Sequence, residues 1–296
     1  MSTTPESVFA AEPLSAPAIL SSDQSLAATR PSPDNPPWGV IGAVVTWFSS
    51  IALLAIVPNI CVLPYVAYRY HGGGATKEIL LADKTFMFLF ILGSLPTHLL
   101  TLALIWAVAT RLGKLSIREV FGWSWSPNFG PWISSALALM LFVVAFLLVG
   151  FLGGQKTELD RILESSRAAA VTLAFIAVAT APLVEEMIYR GLLYSAIQRA
   201  LGQWWAVIVV ASMFAGLHVV QYWPNASAIS AITLLSVVLT LVRARTGRLL
   251  PCFMIHLVFN GIQSVLILLE PYIRAAVEQW QQHPVNGALK ILSFLY

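Results

Sequence analysis

Residues 168–199 read AAAVTLAFIAVATAPLVEEMIYRGLLYSAIQR. The run is charge-free through residue 184, then places Glu185, Glu186 and Arg190 in an otherwise apolar helix interrupted by Pro182. Each ionisable group near the middle of a membrane-spanning helix costs about 2.5–3.5 kcal/mol on insertion scales. Several of them in one greasy helix point to a polar site built at membrane depth.

The rest of the chain supports a membrane reading. Of its 296 residues 58% are hydrophobic and only 10% are charged, against about 25% charged in soluble domains, and mean hydropathy is +0.78. Further charge-free windows cover residues 35–68, 85–110, 120–155, 200–242 and 249–269. About 20 apolar residues cross the hydrocarbon core as a helix, so 200–242 is too long for one span, and Gln221-Tyr222-Trp223-Pro224-Asn225 divides it. The expected fold is therefore an all-α, polytopic helix bundle with about seven transmembrane helices. Its organisation reads as a Pro/Ser/Ala-rich disordered tail over 1–37, N-terminal spans over 38–160, a polar-site core over 165–270 and an interfacial tail over 271–296. No cleavable signal peptide or lipidation motif is expected.

Local signals add detail. Pro58 and Pro64 predict a kink or an early exit in the first span, and Pro96 an interruption in the second. Ser116-Ile117-Arg118-Glu119 has the spacing of a helix-capping box, and with Trp123 and Trp125 it suggests a segment lying in the interface. Cys61 and Cys252 fall in apolar segments and imply no disulfide framework. A net charge of +3 excludes nucleic acid as an expected partner and leaves membrane lipid. Lys and Arg divide eight against eight between the two sides of a seven-span chain, so the positive-inside rule assigns no orientation.

Glu185 and Glu186 diverge by about 100° on a helix and cannot share a direction. Glu186 and Arg190, four apart with the acid first, lie on one face and read as an ion pair. That leaves Glu185 free to point into a site. His256 and Asn260 are also four apart, presenting an imidazole and an amide to the same point. His218 follows Phe214 by four on another apolar helix. His98 reads as a further polar contact in the second span, and His71 and His283 as solvent-facing.

An acid, two imidazoles and an amide on three hydrophobic helices suit two chemistries. Glu185, His218 and His256 match a His₂Glu zinc set with a position open for water. Without metal, Glu185 and His218 polarise a water as general base, while His256 and Asn260 donate to the oxyanion. Composition does not choose between them.

Three motifs now stand in order: Glu185-Glu186 to Arg190 between Pro182 and Gly191, Phe214 to His218, and His256 to Asn260, the last preceded by Arg245-Thr246-Gly247. Over about residues 165–265 the chain resembles the CAAX protease and bacteriocin-processing (CPBP, or Abi) family of intramembrane endopeptidases, relatives of the type II CAAX prenyl endopeptidases. The resemblance implies an active centre of Glu185, His218, His256 and Asn260, supported by Glu186 and Arg190. It implies a peptide or protein substrate cut by activated water, and a multi-pass location in a bacterial inner membrane. Zinc dependence and a metal-free glutamate mechanism both remain open at family level. The rival expectation is a non-catalytic peptide-binding or bacteriocin-immunity protein of the same fold.

Overall fold

The computed structural model describes residues 31–282, and these contain helices and turns without a strand. Seven helical stretches are long and apolar enough to cross a membrane: Val40–Arg69, Lys84–Ala109, Pro131–Leu152, Arg167–Leu201, Gln203–Tyr222, Ala226–Thr246 and Leu250–Gln281. The expected all-α bundle is observed. At 1.5 Å per residue, spans of 20–22 residues match a core about 30 Å thick. Phe48, Leu63, Phe151, Trp204 and Trp205 stand exposed on the outside of the bundle. Such a surface would aggregate in water and is the ordinary lipid-facing side of a membrane protein.

Helix α1 (Val40–Arg69) runs unbroken through Pro58 and Pro64, so the expected early exit does not occur. Short α2 (Lys77–Ala82) leads to α3 (Lys84–Leu92) and α4 (Ser94–Ala109), which together form the second span. The break in that span lies at Gly93, not at Pro96. Proline in a helix's first turn removes an N–H that has no intrahelical partner anyway, and Pro96 occupies that position in α4. A Cβ on Gly93 would lie 2.8 Å from the Pro58 Cα of α1. Gly93→Ala must therefore push two backbones apart. A loss of about 1–3 kcal/mol is expected in thermal or denaturant unfolding of the detergent-solubilised protein, and unchanged stability would contradict this packing.

Asp83 caps α3 through the Thr85 and Phe86 amides and accepts from the Tyr65 and Tyr70 hydroxyls at 2.7 and 2.8 Å. Burial alone would raise its carboxyl pKa. The hydrogen bonds from Tyr65, Phe86, Tyr70 and Thr85 outweigh that and hold it below the usual carboxylate value.

The loop between spans two and three holds α5 (Ile117–Val120), a single turn whose Ser116 makes no side-chain cap. The capping box expected there is absent, its N-cap serine making no side-chain hydrogen bond to the turn. A box does form at Thr157 and Asp160. It opens α7 (Glu158–Ser165), which follows α6 (Pro131–Leu152).

The remaining elements are α8 (Arg167–Ala179), α9 (Ala181–Glu186), a π-helical turn over Met187–Leu193, α10 (Tyr194–Leu201), α11 (Gln203–Tyr222), α12 (Ala226–Thr246) and α13 (Leu250–Gln282). The main core surrounds the π turn, where Ile188, Leu192, Leu193 and Tyr194 meet Trp38, Ile105, Phe121 and Phe214. A second core joins α6, α12 and α13 through Leu141, Leu235, Leu239 and Ile255. Helix α13 continues through Pro271 to Gln282, so residues 271–282 prolong the seventh helix. At about 1.5 Å per residue, its 33 residues exceed the hydrocarbon thickness. The remainder of the expected C-terminal tail, including His283, lies outside the described residues, as does the tail over 1–30.

Residues 31–38 belong to the folded body. The Pro33 carbonyl accepts from Arg243, Pro36 and Trp38 from Arg199, and Pro37 from Arg111. The Trp38 indole donates to Leu192 O at 3.0 Å. Arginine supplies what a proline-rich backbone lacks, N–H donors for its carbonyls. Of the two cysteines, Cys252 is buried and Cys61 is exposed, and neither is in a disulfide.

Candidate active site

The site begins with a broken helix. Pro182 has no N–H to give the Val178 carbonyl and its ring crowds that turn, so α8 ends at Ala179 and α9 restarts at Ala181 around Thr180. Asn260 of α13 donates into the break, its Nδ2 lying 2.9 Å from Ala177 O. From the other side, His98 Nδ1 of α4 lies 2.7 Å from Thr180 Oγ1. Immediately after Glu186 the backbone widens into the π turn, every residue of which is buried. Such turns recur at functional sites because they redirect side chains within a helix.

The two glutamates separate as their helical spacing requires. Glu186 is fully buried, and its Oε1 accepts from Arg190 Nη1 at 3.0 Å and from His256 Nδ1 at 2.8 Å. Arg190 also donates to Ser236 O and Oγ at 3.1 Å and to Thr240 Oγ1 at 3.3 Å, and its guanidinium lies 4.5 Å from the Phe214 ring centre. The ion pair expected from the spacing is present, and it sits inside a larger clasp. Glu185 instead has a side chain 28% exposed, with Oε2 3.7 Å from His256 Nε2.

The imidazoles are oriented by partners that can only accept. His256 Nδ1 faces the Glu186 carboxylate, so it carries a hydrogen and turns Nε2 toward Glu185. His218 Nδ1 donates to Phe214 O at 2.8 Å within its own helix, leaving its Nε2 free of hydrogen when the ring is neutral. Phe214 stacks on His218 with ring centres 4.4 Å apart and meets His256 edge-on at 6.0 Å. This one aromatic side chain spaces the two histidines and covers Arg190.

Glu185, His218, His256 and Asn260 all line a single cavity of about 650 Å³, together with Tyr222, Phe259 and Gln263. Glu186 and Arg190 are not among its lining residues. Polar Gln155, Lys156, Asp160 and Glu164 and apolar Phe142, Phe146, Val149 and Leu173 also line it. Among the described residues no three His, Cys, Asp or Glu side chains come together closely enough to hold a metal ion. The set Glu185, His218 and His256 shares a cavity in this conformation without forming a ligand group.

Sequence reasoning overlooked Ser236, Thr240 and Arg243, which recur at helical spacing along one face of α12. Arg243, 1% exposed, donates to Arg190 O at 3.1 Å and to Ser195 Oγ at 3.0 Å. Their period was a readable signal of a polar face turned inward. His98, read from the sequence as a further polar contact, makes one with Thr180, whereas Thr180 itself carried no comparable signal. His71 is exposed in the turn after α1, as expected.

Residues 167–262 match the family model described as type II CAAX prenyl endopeptidase, Rce1-like. The matched segment starts at α8 and ends just past Asn260, and it contains Glu185, His218, His256 and Asn260. The resemblance carried by the three motifs is confirmed over this stretch. No curated protein and no solved structure matches the chain.

Proposed function

We propose that this chain, Rce1-like over residues 167–262, is an intramembrane endopeptidase that hydrolyses a peptide bond with water activated in the Glu185 cavity. The observation that carries the reading is the division of roles. Four groups suited to hydrolysis share one cavity, while the buried Glu186–Arg190 pair stands behind them and touches His256.

In the reaction, Glu185 accepts a proton as water oxygen bonds to the scissile carbonyl carbon. Nε2 of His218 accepts the second water hydrogen as a hydrogen bond and fixes the direction of attack. His256, oriented through Nδ1 by Glu186, turns Nε2–H toward the developing oxyanion when protonated, and the Glu186 carboxylate stabilises that imidazolium. The Asn260 amide has two hydrogens. One goes to Ala177 O, and the other is available to the oxyanion. When the C–N bond breaks, the proton on Glu185 passes to the leaving amine. A spanning helix hides its own peptide bonds, so the substrate enters unwound or as an extended end.

The test uses the full chain in liposomes with a farnesylated peptide ending in a CAAX sequence, its unprenylated counterpart, and mass-spectrometric mapping of new termini in membrane proteins. Cleavage by the native chain that Glu185→Ala and His256→Ala abolish is expected. Tight peptide binding without cleavage would favour the non-catalytic reading.

The zinc alternative is separated by metal analysis. Activity is expected to persist in protein shown by elemental analysis to be free of zinc after exhaustive chelation. Activity lost on chelation and restored by Zn²⁺ alone would instead place Glu185, His218 and His256 in ligand roles.

A further inference from the structure

We propose that His98 is a positioning residue for Glu185, acting through Thr180 at the α8–α9 break. This rests on the peptidase reading above and adds to it a residue from outside the matched segment 167–262. His98 lies on α4 and is not among the residues that line the cavity.

The geometry is a clasp on a hinge. Thr180 Oγ1 lies 2.7 Å from His98 Nδ1 and 3.3 Å from Ile176 O. With the hydroxyl hydrogen on the Ile176 carbonyl, which can only accept, His98 Nδ1–H donates to Oγ1; in the other tautomer the hydroxyl donates to Nδ1, and either way one hydrogen bond joins the two side chains. Because Pro182 has weakened the helix at this point, side chains from neighbouring helices must hold the angle between α8 and α9. Two do so from different helices: Asn260 on the Ala177 carbonyl and His98 on the Thr180 hydroxyl.

Glu185 stands five residues beyond Thr180, about 7.5 Å along the helix axis. A tilt of about 10° at the break would carry its Cα by roughly 1 Å. A displacement of that size is enough to cost about 10²-fold in rate when reacting groups must be aligned. Asn260 already belongs to the cavity, so His98 is the half of the clasp that can be removed without removing a lining group.

The experiment compares His98→Leu, His98→Gln, Thr180→Val, Thr180→Ser and the double variant His98→Leu/Thr180→Val in liposomes. Steady-state cleavage of the farnesylated CAAX peptide is measured beside hydrogen–deuterium exchange of the amides over residues 180–186. His98→Leu and Thr180→Val are each expected to lower kcat by about 10–100-fold with KM within about threefold. The double variant should be no worse than either single one, as expected of two residues acting through one bond. His98→Gln and Thr180→Ser, which keep a donor and a hydroxyl, should recover most of the rate. Exchange over 180–186 should rise only in the variants that lose the bond. Unchanged exchange in His98→Leu and Thr180→Val overturns the proposal, as does raised exchange with unaltered kcat. If the native chain cuts no peptide while exchange rises as stated, the peptidase reading falls and the hold of His98 on the break stands.

Discussion

Replacing Glu185 with Gln is expected to lower kcat by about 10²–10⁴-fold, the range supplied by a positioned general base, with KM little changed. The substitution keeps the shape and hydrogen-bonding capacity of the side chain and removes only its ability to take a proton. Glu185 lines the cavity that both histidines also line, and its Oε2 lies 3.7 Å from His256 Nε2. The other carboxylates that line the cavity among the described residues are engaged elsewhere, Glu164 with Lys156 at 2.8 Å and Asp160 with Thr157. Glu185→Asp is a sharper probe because it retracts the carboxylate by one methylene, and misplacement alone should cost about 10²-fold. Both variants should unfold at the native temperature, because Glu185 makes no buried ion pair with Arg190. Full activity in purified Glu185→Gln would remove Glu185 from the chemistry.

The largest effect on stability is expected at Arg190. Its guanidinium is fully buried, bonds Glu186, Ser236 and Thr240, and lies over Phe214. Arg190→Met fills similar volume and leaves the Glu186 carboxylate buried with only the His256 imidazole as partner. Removing one member of a buried pair typically costs about 3–5 kcal/mol. The double variant Glu186→Gln/Arg190→Met should regain part of that loss, because no uncompensated charge remains. Denaturant unfolding of the solubilised protein measures both, and a loss below about 1 kcal/mol in Arg190→Met would show that the clasp contributes little. Activity should fail in Arg190→Met as well. His256 would still face Glu186, but the carboxylate that orients its ring would no longer be anchored.

The contrast between these two glutamates shows how much was legible before any coordinates. Two neighbouring positions on a helix diverge, and a pair four apart converges, whatever the tertiary fold. That local geometry was enough to assign Glu186 to Arg190 and to leave Glu185 for the cavity. The same reasoning placed His256 and Asn260 on one face, and length with hydropathy sufficed for seven spans. Where local rules competed, they misled. The Ser116–Glu119 spacing looked like a cap but belongs to a single turn. Pro96 looked like the interruption, yet the second span breaks at Gly93.

By itself, the order of residues determined the spans and the angular relation of side chains along each helix, because both follow from backbone geometry and the cost of charge in lipid. Only the tertiary structure decided that Glu186 would orient His256, that Asn260 would reach Ala177, and that His98 would meet Thr180. Those contacts join different helices. The helical period sets where a side chain stands on its own axis, but the rotation and depth of that axis against its neighbours come from packing.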